Sequence, residues 1–214
     1  LASAPAQASL KTTVAIAWLR QGQEDKFRAS IDEALKAKAD HVPALIELVR
    51  ASAQRGNIDE ALAGLDKIPR QSSGADEAHK LRGDLLLYGK RDMDAAMVAY
   101  RDALQVNPSY LEGQAAVVQL LLLQGKTEAA AEALQGLAKE APGKPQTLYL
   151  QAMLAYAKND LKAAQEHAQK LVSLTPENFR ALELAGMTEL RLGANVQAEA
   201  LLAKALQLEA GLPM

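Results

Sequence analysis

The sequence contains no cysteine. Disulfides and zinc–thiolate sites are therefore excluded, and the redox compartment stays open. Aromatic residues make up only 4% of a chain that is 49% apolar, so its core has to be built from Ala and Leu, which suits closely packed helices. Charge of either sign is not in excess: 24 Lys and Arg stand against 26 Asp and Glu, a net charge of −2. The first 107 residues carry 15 basic and 15 acidic groups and the rest carry 9 and 11. Neither half is basic, so there is no electrostatic footprint for nucleic acid. No stretch approaches the roughly 18 consecutive apolar residues of a membrane span, and no direct membrane insertion by this segment is expected.

Motifs that carry chemistry are missing as well. The chain has no GxGxxG, no P-loop lysine motif, no GxSxG and no HExxH. His41, His79 and His167 lie far apart; His41 and His79 read as solvated residues near helix starts, and His167 as part of a helix face. Carboxylates are interleaved with Lys and Arg, as in Glu24-Asp25-Lys26 and Lys158…Asp160…Lys162, a mixture typical of solvated helix faces. No catalytic, cofactor-binding or metal-binding set emerges, and no enzyme activity is expected.

What the chain does have is a beat. Gly22, Gly56, Gly89, Gly125, Asn159 and Gly193 are spaced by 34, 33, 36, 34 and 34 residues. Ala34, Ile68, Ala103, Leu137, Leu171 and Ala205 repeat at 34, 35, 34, 34 and 34. Ala61, Ala96, Ala130, Ala164 and Ala198 keep the same phase, and Pro108, Pro142 and Pro176 follow at 34 and 34. That period belongs to helix–turn–helix solenoids, quasi-one-dimensional arrays in which each repeat contacts only its neighbours. The spacing predicts repeats at 8–41, 42–75, 76–110, 111–144, 145–178 and 179–212. In each, a helix A ends at the Gly or Asn, which accepts a positive φ, and a helix B ends before the Pro, which cannot continue it. In the fourth repeat these helices are expected at about 111–124 and 127–140. Small residues on helix B, with Gly83 and Gly186 on helix A, let the two helices approach closely.

Counted backwards, the phase puts residues 1–7, with Leu1 and Pro5, at the tail of a preceding repeat. Counted forwards, it puts Pro213 in residues 213–214 at the start of a following segment. The expectation is a piece of a longer array. Two irregularities interrupt the beat. Pro69 and Gly64 cut helix B of the second repeat short and leave the polar loop Arg70-Gln71-Ser72-Ser73-Gly74-Ala75, read either as neutral drift or as a hinge or contact point. The third repeat has one extra residue near Lys90-Arg91-Asp92.

With four positional classes in phase, the pattern resembles the tetratricopeptide repeat family over almost the whole chain. The departures are Phe27 at the small position of the first repeat, and Ala39, Ser73 and Ala210 where the family has proline. The resemblance implies an all-α, right-handed α-solenoid of about six repeats, with about twelve antiparallel helices and no strand. It also implies a concave groove lined by the A helices that takes a protein or peptide partner. The inward positions carried over are Lys80 and Asp84 in the third repeat, Gln119 and Leu122 in the fourth, Tyr149, Met153 and Tyr156 in the fifth, and Met187 and Leu190 in the sixth. Tyr149, Met153 and Tyr156 form one stripe at i, i+4 and i+7, which suits a binding surface and equally suits packing against neighbouring helices. The Lys/Asn clamp with which some family members hold the C-terminal carboxylates of chaperones is absent: Asp84 replaces the Asn, and Glu112, Ala115, Ala116 and Gln119 fill its other places.

Repeats four to six, with Lys144-Pro145-Gln146-Thr147-Leu148-Tyr149-Leu150, Leu154-Ala155-Tyr156 and Asp160-Leu161-Lys162-Ala163-Ala164, further resemble the tetratricopeptide lipoproteins of the PEP-CTERM/exosortase system. That resemblance implies an inner segment of a bacterial scaffold, lipid-anchored outside the cytoplasm and associated with exopolysaccharide production and surface-protein sorting. A cytoplasmic adaptor of the same fold, or the repeat arm of a larger enzyme, remains an alternative.

Overall fold

The computed structural model describes residues 3–210, and among these every regular element is helical. The chain divides into two compact units, Leu1–Gly113 and Gln114–Met214. The first holds α1 (Ala4–Arg20), α2 (Glu24–Ala37), α3 (Val42–Gln54), α4 (Ile58–Leu65), α5 (Ala75–Asp84), which a π-helical turn Leu85–Gly89 extends, and α6 (Met93–Val106). α7 (Leu111–Leu123) begins at the junction, and the second unit continues with α8 (Thr127–Glu140), α9 (Pro145–Ala157), α10 (Leu161–Leu174), α11 (Phe179–Arg191) and α12 (Asn195–Ala210). Odd-numbered helices are the A helices and even-numbered ones the B helices, so the all-α solenoid class is as the sequence predicts. α1 opens at Ala4 with Pro5 in its first turn. Residues 4–7, expected at the tail of a preceding repeat, are therefore continuous with helix A of the first. Leu1 and Pro213 lie outside the described residues.

The reversal from helix A to helix B explains the beat. Gly22, Gly56, Gly125, Asn159 and Gly193 all have positive φ, between 62° and 81°. The amide after each returns to a carbonyl five residues back: Gln23 to Trp18, Asn57 to Ser52, Lys126 to Leu121, Asp160 to Ala155 and Ala194 to Glu189, at 2.9–3.0 Å. This Schellman closure satisfies carbonyls that the helix end would otherwise orphan. In the third repeat the sequence expectation fails. Gly89 does not take the left-handed conformation; Arg91 does, with φ 58°. The π turn absorbs one extra residue, so Asp92 donates to Leu86, six residues back. The true turn series 22, 56, 91, 125, 159, 193 steps by 34, 35, 34, 34 and 34, in phase with the buried B-helix series. Gly89 is small for a different reason: a Cβ there would stand 2.8 Å from the Ile58 side chain.

Close helix approach shapes the core. Ala61, Ala96, Ala130, Ala164 and Ala198 are all buried, as is Phe27 at the equivalent place in α2. On the A helices, a Cβ at Gly83 would fall 2.3 Å from the Tyr100 ring, and one at Gly186 would fall 2.7 Å from Leu202. α6, α8 and α10 stop two residues before Pro108, Pro142 and Pro176, because the residue before a proline avoids the helical region. α4 has only eight residues, against 14 in those three helices. The chain then runs through Pro69 to Gly74, whose φ of 88° caps α5.

Neighbouring repeats are also tied by a recurring polar contact. A cation near the end of an A helix reaches back to the start of the previous B helix. Arg55 meets Glu24 at 2.6 Å, Lys90 meets Asp59 at 2.6 Å and Lys158 meets Glu128 at 3.9 Å; Arg191 takes Asn159 in the same manner. The carboxylates sit in the first turns of α2, α4 and α8, where the helix dipole favours them. Glu189 of α11 is buried and accepts hydrogen bonds from Gln165 and Gln169 of α10. His41, expected to be solvated, is buried at the start of α3, and burial lowers the pKa of its imidazole. His79 and His167 are half-buried.

Filling the close contacts should be costly. Gly83→Ala and Ala164→Leu should each lose about 1–3 kcal/mol by overpacking, whereas Lys139→Ala, outside the core, should stay within about 0.5 kcal/mol of wild type. Chemical-denaturation midpoints check this; unchanged midpoints for Gly83→Ala and Ala164→Leu would contradict the packing.

Candidate functional site

In the second unit α9 and α11 each pack against α10 and touch each other. The stripe expected on α9 is half-buried. Tyr149, Met153 and Tyr156 rest on a cluster made by Ala152 of α9, Ala168 of α10, and Leu184 and Ala185 of α11. Each of these three side chains thus contributes to helix packing and keeps part of its surface in solvent. The two positions from α11 stand further out, with Met187 40% and Leu190 54% exposed. Gln119 and Leu122, on α7, are half-buried.

Arg191 was not anticipated from the sequence. Its guanidinium lies 4.6 Å from the centre of the Tyr156 ring. It also donates to the Tyr156 carbonyl at 3.2 Å and to the Asn159 side chain. The stacked cation and two donated bonds hold the C-terminal end of α9 against α11, and they fix the Tyr156 ring next to Leu190's helix face. Part of the signal was available: Arg55 and Lys90 stand 35 residues apart and Lys158 and Arg191 stand 33 apart, each pair near one repeat's spacing.

The third-repeat pair belongs to the first compact unit and is engaged there. Lys80 and Asp84, one helical turn apart on α5, pair at 2.7 Å. The other carboxylate oxygen of Asp84 accepts the Tyr100 hydroxyl at 2.9 Å. Tyr100 is fully buried, and burial together with the adjacent Asp84 carboxylate pushes its phenol well above the ordinary tyrosine range. The ring occupies the space that Gly83 leaves open. Sequence reading passed over Tyr100, since it sits on a B helix outside the positional series.

Among the described residues no group of three or more His, Cys, Asp or Glu could hold a metal ion. No described helix is long and apolar enough to cross a membrane. What the A-helix face of the second unit offers is accessible apolar area on helices held by tight packing.

Helix–turn–helix units of 34 residues with a left-handed closing residue define a helical-repeat interaction scaffold. Two family models, each described as tetratricopeptide repeat, match residues 19–85 and, twice over, 81–145 and 149–213. The chain belongs to the tetratricopeptide repeat family. It is 27% identical over 155 residues to the cellulose synthase operon protein C of Pseudomonas fluorescens (strain SBW25), a match that covers 68% of this chain and 12% of that protein. The chain thus spans about an eighth of the length of that relative. Among solved structures it is similar to pilF of Pseudomonas aeruginosa, at 15% identity and TM-score 0.76, covering 98% of this chain and 95% of that one. It is also similar to PilW, a widely conserved type IV pilus biogenesis factor, at 21% identity and TM-score 0.73, covering 95% and 93%. At these identities the two structures speak for the fold alone.

Tyr100→Phe keeps the packed ring and removes one hydrogen bond to a charged acceptor, so it should cost about 1.5–3 kcal/mol. The wild type should also lose stability as pH rises above 10.0, the ordinary tyrosine value. There the unfolded chain releases the phenolic proton while the folded chain retains it. The variant should show a shallower alkaline decline. Parallel alkaline slopes for the two proteins in denaturation measurements would contradict this.

Proposed function

We propose that the chain is a non-enzymatic protein-binding scaffold whose contact face is the A-helix face of its second compact unit. On that face Tyr149, Met153, Tyr156, Met187 and Leu190 supply the apolar anchor, and the A helix α7 contributes Gln119 and Leu122. The observation that carries the reading is Met187 and Leu190, exposed one turn apart beside a half-buried Tyr/Met stripe whose Tyr156 ring is stacked by Arg191. Tyr and Met combine apolar area with adaptability, and aromatic anchors dominate the energy of many interfaces. In the first unit the Lys80–Asp84 ion pair is a surface charge pair of its own, of the kind that tunes association rate and salt dependence.

The setting we propose is extracytoplasmic: an inner segment of a large bacterial repeat protein, lipid-anchored in its parent form and associated with exopolysaccharide production and surface-protein sorting. The name of its relative, a cellulose synthase operon protein, supports a surface-polysaccharide setting. So does the resemblance of repeats four to six to lipoproteins of the PEP-CTERM/exosortase system.

A pair of charge insertions tests the face. Met187→Glu with Leu190→Glu should leave stability within about 0.5–1 kcal/mol, since both side chains are largely in solvent. Leu174→Glu, at a residue 56% exposed on the B helix α10, is the control. A photo-cross-linking amino acid at position 187 of the full-length parent, expressed in its native cell, should yield one discrete adduct. The double variant should abolish that adduct and Leu174→Glu should spare it. A folded double variant that still forms the adduct refutes the assignment, and recovery of the parent from the cytosolic fraction refutes the setting.

A further inference from the structure

The polar loop 69–75 builds a surface of its own in the first unit. α4 is about a turn and a half shorter than its counterparts, and the space left by those missing turns is not refilled. A cleft of about 190 Å³ opens between the end of α4, α5 and α6. Its floor is apolar, formed by buried Leu65, Ile68 and Ala78. Its rim is polar and carries Arg70, His79, Arg82 and Asp102. From Arg70, His79 and Asp102 the cleft continues outward past Gln71, Gln105 and Val106.

The charges in this cleft are not all spent. Arg82 is held by Asp66 at 2.6 Å. Arg70 and His79 have no hydrogen-bond or ion-pair partner among the described residues, although Arg28, Arg50, Arg55, Lys80, Lys90 and Arg191 all have one. Asp102 is likewise without a partner. The cleft therefore presents two nitrogen donors on one side and, on α6, a carboxylate acceptor with Gln105 one turn further on. An unpaired guanidinium beside an imidazole matches the two oxygens of a carboxylate. Asp102 and Gln105 match N–H donors near that carboxylate, and the open outer end lets a chain leave the cleft in extended form.

We propose that this cleft binds an acidic residue of a polypeptide partner. Arg70 and His79 take the side-chain carboxylate, Asp102 accepts a backbone N–H beside it, and the aliphatic part of the side chain lies over Ile68 and Leu65. The scaffold then carries two separate contact surfaces, an apolar one on the A helices and this acid-reading one beside the shortened B helix. The loop that interrupts the repeat exists to open it.

Backbone-amide NMR with a capped Gly-Glu-Gly peptide tests the assignment. Shifts should be confined to residues 65–79 and 102–106 and saturate in the millimolar range. The Gly-Gln-Gly peptide should bind roughly tenfold more weakly or worse, as loss of a charge-assisted pair requires. Arg70→Gln should impose the same loss while leaving the melting temperature unchanged, because Arg70 has no hydrogen-bond or ion-pair partner to lose among the described residues; His79→Gln should weaken binding too. Shifts of equal size with the Gln peptide, or undiminished binding to Arg70→Gln, overturn the proposal. Tighter binding of glucuronate than of the Glu peptide overturns the choice of a polypeptide.

Discussion

The close approach of helix A to helix B is the constraint on which the rest depends. Two helices can meet at short distance only where one offers a side chain no larger than a methyl group, and the alanine and glycine positions are there for that reason. Tyr100 shows the principle from the other side, since its ring lies where a Cβ at Gly83 would stand. Such contacts are gained by dispersion and by excluding water from Ala and Leu surface. A chain with few aromatic residues can build a continuous core this way, because many shallow contacts replace a few deep ones.

The turn is the second constraint, and it works with the first. A helix that must reverse within two or three residues needs one residue in the left-handed region and a carbonyl acceptor for the amide that follows. When the third repeat gains a residue, the π turn takes it up within helix A, so the reversal and the buried B-helix positions stay in phase. Arg91 then bears a backbone conformation that glycine would hold at less cost. Register in the core outweighs local preference in the turn.

Function follows from what this packing leaves uncovered. A helices are pinned by B helices on one side and by cations such as Arg191 at their ends. Their remaining surface is therefore a fixed display of side chains, which limits the ordering cost of binding. The stripe on α9 lies half within the helix packing and half outside it, so each of its residues supports the fold and still meets solvent. The shortened α4 shows the opposite route to a surface, in which a break in the repeat exposes groups that an intact helix end would cover.

The sequence by itself determined the period, the helix pairs, the buried alanine series and the helix ends before proline, because these rest on local spacing and on steric limits of single residues. Asn159 was read correctly as a turn residue for that reason. Spacing alone could not tell that Gly89 is small to admit Ile58 and that Arg91 makes the turn, since a glycine serves either purpose and only the neighbouring helix distinguishes them. The same holds for the site. The Tyr149, Met153 and Tyr156 stripe was legible as a helical face, but which part of it is covered depends on Leu184 and Ala185 of the next A helix. Arg191 on Tyr156, Tyr100 on Asp84 and Glu189 between two glutamines were decided by tertiary structure alone, because the burial and pairing of a polar group depend on which helix packs against it.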